Sequence, residues 1–228
     1  MSYFPRICVS IGRESTTEAL EVAASVAGNC DVLEIRLDCL QIPSVSPFVE
    51  ALATPLLFTN RPQWEGGKFA GGEDTRLALL LEAVAAESSY VDLELLAPAT
   101  SHQAMRTALQ TSETKLILSW HNFKDTPGRE ELVGRLAMMQ DNGADIGKII
   151  TIAHNAADVL RVLQLQEVAA KLNFPLIAFC MGRAGVISRV ATCDLGGYMT
   201  YCAANEREAT APGQLSVIAL RQIYTLMR

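Results

Sequence analysis

A lysine stands inside an apolar run in the second half of the chain. Lys148 follows Gly143-Ala-Asp-Ile-Gly147 and precedes Ile149-Ile-Thr-Ile152. If its side chain points into the protein interior it loses hydration, and neighbouring arginine charges lower its pKa further, which leaves a fraction as the free amine. A free amine can attack a ketone and form a Schiff base. The alternative from spacing alone is a lysine at the start of a strand whose ammonium reaches solvent.

A histidine follows an apolar run upstream of that lysine. His121 lies between a run that ends at Trp120 and a turn that contains Pro127. The ordinary pKa of imidazole suits proton transfer near neutral pH, although a hydrogen-bonded structural histidine fits the spacing equally well. With His102 in a helix start and His154 in a loop, the chain forms no HxH or HExxH pattern. We therefore predict no metal site.

Further ionisable side chains stand at the ends of apolar runs. They are Glu34, Arg36, Arg61, Glu65, Asp92 and Glu94. Arg61 and Glu65 are four apart in a loop with a proline and two glycines, which argues against a shared helical turn. Glu34 and Arg36 are two apart on one strand and face the same side. Structural ion pairing is the alternative for both pairs, but charges inside apolar strands are costly to bury unless paired, so each is a candidate for a site.

Short apolar or β-branched runs alternate with stretches of helical spacing along the chain. The runs predict eight strands, over residues 6–11, 32–37, 56–59, 90–95, 115–120, 148–152, 176–180 and 198–202. The spacing predicts helices over residues 17–27, 75–87, 129–142, 156–171 and 215–227. The strand runs are continuous, as expected for parallel strands covered on both faces. We predict an α/β fold, a (β/α)8 TIM barrel that forms one domain over residues 1–228.

Active sites of such barrels lie at the carboxyl ends of the strands and in the loops that follow them. Segment 61–74 follows the third strand, and five of its fourteen residues are glycine or proline. We predict that it is an active-site loop and not a domain linker. Segment 206–214 precedes the last helix, and a plain connection with a helix-start proline is the alternative there.

The composition excludes several classes of protein. Of 228 residues, 50% are hydrophobic and 19% are charged, which indicates a compact globular chain. A formal net charge of −6 leaves no basic surplus for nucleic-acid binding, and the sequence contains no phosphate-binding glycine motif, so we predict no cofactor. No apolar run approaches the roughly 18 residues that span a membrane. Without a recognisable signal peptide, we expect a cytoplasmic protein whose six cysteines stay reduced.

Six short motifs follow one another along nearly the whole chain. They are Leu33-Glu-Ile-Arg36, Phe58-Thr-Asn-Arg61 with Glu65-Gly-Gly67, Ser119-Trp-His-Asn-Phe123 with Thr126-Pro127, Gly143-Ala-Asp-Ile-Gly-Lys148, Gly185-Val-Ile-Ser-Arg189, and Ala211-Pro-Gly-Gln214. Together they resemble the type I 3-dehydroquinate dehydratases, Schiff-base enzymes of the shikimate pathway, which serves aromatic amino acid biosynthesis. One motif alone would be weak, but six in the family's order are specific.

The resemblance implies a lyase that dehydrates 3-dehydroquinate to 3-dehydroshikimate by syn elimination of water. It implies that Lys148 forms the imine with the C3 ketone and that His121 is the acid–base group. It further implies that Glu65 orients and charge-stabilises His121, and that Arg189 holds the substrate carboxylate. The residues that match the family's positions for the ring hydroxyls and carboxylate are Glu34, Arg36, Arg61 and Gln214. The resemblance also points to a homodimer and to no cofactor.

Two departures from the family pattern concern the lid after the eighth strand. The family usually has serine where this chain has Thr210, which keeps a hydroxyl and adds a methyl group. We expect Thr210 to contact the substrate or the closed lid. Segment 201–209 also differs from the family pattern, which leaves the path of the lid open.

Two other functions fit the same residues. A class I aldolase would use the same lysine on a similar barrel, but such enzymes usually bind a phosphate near the last two strands. Arg189 and the lack of a glycine-rich loop after the eighth strand favour a carboxylate instead. A non-catalytic barrel, fused to a shikimate dehydrogenase in a longer protein, would have no reason to form an imine.

Overall fold

Eight parallel strands alternate with helices along the chain. The computed structural model describes residues 5–208 and 210–227. The strands are β1 (Ile7–Ile11), β2 (Val32–Arg36), β3 (Leu56–Thr59), β4 (Tyr90–Glu94), β5 (Lys115–Asn122), β6 (Ile146–Ile152), β7 (Leu176–Met181) and β8 (Thr200–Ala203). Every strand begins and ends within two residues of its predicted run.

The helices cover the outside of these strands. In the described residues they are α1 (Thr16–Val26), α2 (Ser46–Ala51), α3 (Glu73–Ala85), α4 (Ala99–Leu109), α5 (Arg129–Asp141), α6 (Ala156–Leu163), α7 (Leu165–Lys171), α8 (Val186–Asp194) and α9 (Val217–Leu226). The prediction of one helix over residues 156–171 was wrong, because the helix is interrupted at Gln164. The sequence analysis missed α2 and α8, and of α4 it predicted only a helix start at His102. The first has only six residues, and the second contains β-branched residues that favour strands in isolation.

The strands form one sheet in the order β7-β6-β5-β4-β3-β2-β1-β8. Every ladder is parallel and joins neighbours in sequence, except that β1 also pairs with β8. At the seam between β7 and β8, the Tyr198 N–H donates to the Leu176 carbonyl at 2.8 Å. The result is the predicted (β/α)8 barrel, nearly closed.

The pleat of each strand sends alternate side chains into the barrel. On β6, Lys148 lies between Ile146 and Ile150 in this inward series, and both isoleucines belong to an apolar cluster that fills the interior. The larger core lies between the strands and the helices, where it includes Ile149 of β6. Lys148 therefore lies inside the barrel, and the alternative of an ammonium that reaches solvent at a strand start is wrong.

The loop between β3 and α3 folds closely back on itself. Residues Gln63–Glu65 form a 3₁₀ turn, and Gly66 follows in the left-handed region with φ of 76°. The Gly67 N–H donates to the Pro62 carbonyl at 2.9 Å, which brings its Cα against the backbone of Arg61. A Cβ at position 67 would collide with the Arg61 carbonyl group, so only glycine fits there. This loop fixes the two charged residues at its start and turn.

Substitution of Gly67 by alanine tests that close approach. The added methyl group meets backbone instead of a flexible side chain, so we expect Gly67→Ala to lower the free energy of unfolding by about 1–3 kcal/mol. Urea denaturation measures the change. The matched control is Gly134→Ala on the exposed side of α5, where the new carbon meets nothing within 4 Å and we expect a gain of about 0.5–1 kcal/mol. Unchanged stability in Gly67→Ala would contradict this loop conformation.

Candidate active site

A cavity opens at the carboxyl ends of the strands, where active sites of this fold lie. All nine predicted site residues line it, and these are Glu34, Arg36, Arg61, Glu65, His121, Lys148, Arg189, Thr210 and Gln214. Barrel closure collects them from strands, loops and one helix that are far apart in sequence. The structure thus brings every one of the predicted side chains to one place.

Lys148 lies deep in this cavity and is only 4% exposed. Its Nζ donates to Oδ2 of Asp92 at 2.9 Å and lies 3.6 Å from Oε1 of Glu34. The ring of Tyr201 covers it, with its centroid 4.3 Å from Nζ. The ion-pair partners of Lys148 are these two carboxylates, whereas the sequence analysis considered only neighbouring arginine charges.

His121 ends the inward series of β5, with 11% of its side chain exposed. Its ring stacks on Phe123 at a centroid distance of 6.0 Å. Burial lowers the pKa of His121 well below its ordinary value, and the charges of Arg61, Lys148 and Arg36 add to this effect. The imidazole is therefore neutral at pH 7 and able to accept a proton.

Glu65 lies between this histidine and Arg61. Its Oε1 accepts the backbone N–H of His121 at 3.1 Å, and its Oε2 is 3.7 Å from Nδ1 of the ring. Burial raises the pKa of Glu65 to about 8 against the opposing charge of Arg61. The carboxyl group therefore holds a proton at pH 7. It lies close enough to the imidazole for a positive charge on the ring to change its protonation.

Arg61 is surrounded by acceptors within the protein. Nη1 donates to Glu65 at 3.2 Å, to Glu94 at 2.7 Å and to Ser119 Oγ at 2.6 Å, while Nη2 lies 2.9 Å from Oδ1 of Asp92. Burial raises the pKa of Asp92, but Arg61 and Lys148 outweigh burial and hold that pKa below its ordinary value. Arg61 thus keeps a carboxylate ionised next to the lysine.

Arg189 is also buried, with 1% exposed, but its surroundings differ from those of Arg61. Its Nη2 makes one long hydrogen bond, of 3.4 Å, to the Pro212 carbonyl, and Nε has no partner among the described residues. The guanidinium lies over the ring of Phe179 at 4.5 Å. Burial lowers the pKa of Arg189 to about 10, which still leaves it charged at pH 7. A buried cation of this kind is suited to bind an anion.

The loop after β8 closes one side of the cavity through Gln214. Its Oε1 accepts hydrogen bonds from the backbone and the hydroxyl of Thr210, at 2.7 and 3.1 Å, and from the Ala211 N–H at 3.3 Å. The hydroxyl of Thr210 is therefore directed to Gln214 here. Earlier in the loop, Glu208 pairs with Arg13 of the loop after β1. Ala209, which ends the segment expected to depart from the family pattern, lies outside the described residues.

The two predicted residues of β2 are held by neighbours. Glu34 accepts from Thr59 Oγ1 at 2.9 Å and from Ser10 Oγ. Arg36 forms a bidentate pair with Asp38, at 2.8 and 2.6 Å. Both side chains line the cavity, so the face that they share on the strand points inward and not toward a helix.

The sequence analysis left three polar neighbours of the site unassigned. Asp92 is an acidic residue in an otherwise apolar strand, and this signal is sufficient to assign it to the site. Ser119 donates to Asp92 Oδ1 at 2.6 Å, but a serine in a strand gives no such warning. Tyr201 lines the cavity with its hydroxyl buried and without a described partner, whereas in sequence it resembles an ordinary core aromatic residue.

The described residues contain neither a cluster of metal-binding side chains nor a helix able to cross a membrane. No group of three or more His, Cys, Asp or Glu side chains is arranged there to hold a metal ion. None of the helices in residues 5–208 and 210–227 has the length and apolar character needed to cross a membrane.

Comparison with known sequences identifies relatives over the whole length of the barrel. The model of the family "Type I 3-dehydroquinase" matches residues 7–228. The 3-dehydroquinate dehydratase of Desulfotalea psychrophila is 56% identical over 219 residues, which cover 96% of each chain. The bifunctional 3-dehydroquinate dehydratase/shikimate dehydrogenase of Arabidopsis thaliana is 32% identical over 97% of this chain and 37% of the longer protein.

Solved structures similar to this chain include members of the same family. A type I 3-dehydroquinate dehydratase from Clostridium difficile, solved with covalently modified comenic acid, superposes with a TM-score of 0.90 at 30% identity, over 99% of this chain and 93% of that one. The 3-dehydroquinate dehydratase of Enterococcus faecalis superposes with a TM-score of 0.85 at 32% identity, over 98% and 94%. The chain described here belongs to the type I 3-dehydroquinase family.

Proposed function

We propose that this chain is a hydro-lyase that converts 3-dehydroquinate to 3-dehydroshikimate through an imine on Lys148. The observation that carries the proposal is a buried lysine amine in the same cavity as a neutral imidazole and an unpaired guanidinium. The substrate has a ketone for the first, an acidic proton next to that ketone for the second, and a carboxylate for the third. Each of these groups needs what the corresponding side chain offers.

The first step joins Lys148 to the substrate. The amine must be neutral to attack the C3 carbonyl, and Asp92 at 2.9 Å is placed to take or hold its proton. The addition product then loses the former carbonyl oxygen as water and becomes a protonated imine. The barrel interior favours this step because bulk water, which would compete for the carbonyl, is largely excluded.

The second step removes the elements of water from the ring. His121 takes the proton from C2, and the electron pair moves into the protonated imine, which becomes an enamine. The enamine expels the C1 hydroxyl, which leaves as water with the proton returned by His121. Hydrolysis of the resulting imine releases the product and restores Lys148, so one water is lost overall.

Glu65 assists when His121 becomes charged. Its pKa near 8 leaves it neutral beside a neutral ring, but an imidazolium 3.7 Å away lowers that pKa, so the carboxyl group gives its proton to water at the open side of the cavity and becomes a carboxylate. The stabilising charge therefore develops together with the charge that needs it. An interaction that strengthens along the reaction coordinate accelerates the chemical step, whereas uniform binding does not.

The remaining side chains orient the ring of the substrate. We assign the carboxylate to Arg189, whose planar guanidinium offers parallel donors. Glu34, Arg36, Thr210 and Gln214 line the same cavity and are assigned to the ring hydroxyls and to closure over the substrate. Arg61 also lines the cavity, but its donors are engaged by Glu65, Asp92, Glu94 and Ser119, so we assign it to positioning.

The biological setting extends this proposal. We infer that residues 1–228 act as one catalytic domain without a cofactor, in the cytoplasm. The last point is supported by Cys8, Cys30, Cys39, Cys180 and Cys202, which are thiols in the structure.

Borohydride trapping tests the imine. With 3-dehydroquinate present, reduction freezes the imine, so we expect loss of activity together with a covalent mass increase on Lys148. Peptide mass spectrometry locates the adduct, and Lys148→Met is the matched control that forms none. An adduct on Lys68 or Lys124 would move the nucleophile, and an active preparation that forms no adduct would exclude the mechanism. An aldolase is separated by the same test, because it would not be expected to trap 3-dehydroquinate.

Removal of the imidazole separates the two steps. His121→Ala keeps Lys148 and its carboxylate neighbours, so we expect borohydride trapping to persist. Turnover, measured as the absorbance of the conjugated enone, is expected to fall by at least the ~10²–10⁴-fold that acid–base catalysis supplies. Turnover within about tenfold of wild type would show that His121 is structural and direct the search for the base to Glu65.

We also propose that the chain forms a homodimer. Apolar side chains remain exposed around the groove between α8 and α9, among them Ile187 at 60%, Leu195 at 53% and Met227 at 55%. Contiguous apolar surface of this kind is typical of protein interfaces. Light scattering is expected to give twice the chain mass of 24.7 kDa, and a mass of one chain at micromolar concentration would refute the dimer.

A further inference from the structure

A chain of buried ion pairs continues from the active site to a helix outside the barrel. Glu94, at the end of β4, is fully buried and accepts from Arg61 Nη1 through Oε1 at 2.7 Å. Its other oxygen, Oε2, accepts from Nη1 of Arg76. Arg76 stands in the first turn of α3, is 1% exposed and does not line the active-site cavity. One carboxylate is thus shared between an arginine of the site and an arginine of an outer helix.

Arg76 is itself rigidly held. Its Nε and Nη2 donate to the two oxygens of Glu73 at 2.8 and 2.7 Å. Its Nη1 also donates to the Asn60 carbonyl at 3.2 Å, and Asn60 Nδ2 donates back to the Arg76 carbonyl at 3.1 Å. Asn60 is the residue directly before Arg61, so these bonds fix the backbone from which Arg61 extends. A bidentate guanidinium–carboxylate pair has little freedom to reorient.

Three acceptors compete for the hydrogens on Nη1 of Arg61. Nη1 has two hydrogens but three acceptors, namely Ser119 at 2.6 Å, Glu94 at 2.7 Å and Glu65 at 3.2 Å. Glu65 has the longest of these contacts and is the first that Arg61 would lose. Without Arg76, Arg61 would be the one cation among the described residues that pairs with Glu94. A fully buried carboxylate attracts such a partner strongly, so Glu94 would draw Arg61 toward itself.

We propose that Arg76 is a positioning residue for the reaction, which neutralises Glu94 from outside the barrel and thereby keeps Arg61 directed at Glu65 and Asp92. Those two carboxyl groups contact His121 and Lys148 respectively. The kinetic part of this inference rests on the dehydration proposed above. Its electrostatic part concerns the protein alone.

The charged and titratable groups that face His121 come from several elements. Glu65 and Arg61 follow β3, Lys148 lies on β6, and Arg36 lies on β2. Glu65 in turn faces Arg61, Glu94 and Asp92. Burial raises the pKa of Glu94 although Arg61 and Arg76 oppose it. At a fixed protonation of Glu94, loss of the Arg76 charge makes this buried network more negative by one unit, which favours protonation of the imidazole. The pKa of His121 is therefore expected to rise, and activity that needs the neutral ring is lost at a higher pH.

Arg76→Gln tests the inference. We expect kcat to fall on the order of ten- to a hundredfold, because misplacement caused by a residue remote from the chemistry can cost that much. KM should change by less than about twofold, since Arg76 does not line the cavity, and this split marks loss of positioning and not of binding. The acid limb of the kcat/KM profile should move to higher pH. Arg76→Lys should return the limb to its original position, because it restores the charge.

A control and a second readout separate this inference from the proposed function. Lys171→Gln removes one positive charge from an exposed pair with Glu167 and should leave kcat and the profile unchanged. NMR titration of the His121 ring in wild type and Arg76→Gln follows the pKa without substrate. If the wild type does not turn over, the proposed function fails, and the titration still decides the electrostatic inference.

The outcomes are distinct. A folded Arg76→Gln with wild-type kcat and an unchanged His121 titration would overturn the proposal. If Arg76→Gln does not fold, Glu73→Gln decides instead, because it loosens the bidentate anchor but leaves Arg76 its charge. A severalfold lower kcat at constant KM supports the positioning role in that variant. A kcat equal to that of wild type, with the same imidazole titration, refutes it.

Discussion

Three carboxyl groups meet at the carboxyl ends of β3 and β4, and the guanidinium of Arg61 lies among them where water is largely excluded. Without that cation, Glu65, Asp92 and Glu94 would repel one another, and burial would drive each to bind a proton. With it, Asp92 stays ionised against Lys148, and Glu65 stays next to the imidazole. Two features bring these groups within reach of one side chain. The turn after β3 is closely packed, and the parallel strands end at the same level of the barrel.

Burial has opposite effects on the two members of the acid–base pair. It lowers the pKa of His121 and raises that of Glu65, because in both cases it disfavours the charged form. The pair therefore starts neutral at pH 7, although a histidine beside a glutamate is usually taken for an ion pair. In the mechanism proposed here, charge appears on both groups only after the ring has taken a proton. A dry site makes that late ion pair stronger than it would be in water.

The strands were predictable because each is a short and mainly apolar run. The nine candidate site residues were predictable because they stand within or after those runs, in motifs of a recognisable family. Other features depend on tertiary packing. Helix α8 contains a β-branched sequence that becomes helical only on the barrel. Lys148 was expected near arginines, yet Asp92 lies between it and Arg61 and pairs with both. Arg76 stands in a helical first turn beside acidic residues, a pattern typical of solvent exposure, and only the fold shows that it is buried.

The two buried arginines of the cavity are partnered in opposite ways, and this difference supports different roles for them in the proposed mechanism. Arg61 has more acceptors than hydrogens at Nη1, so it contributes to the structure and has little left for a ligand. Arg189 is buried with one long hydrogen bond and an aromatic face, and it has no counter-ion among the described residues, an arrangement that costs stability because a buried charge is then poorly compensated. In the mechanism proposed above, a ligand carboxylate supplies that missing counter-charge. In that mechanism, a carboxylate bound at Arg189 sets the position of the ring, and the ketone is then the group that must reach Lys148, so this cation helps to decide which carbon reacts.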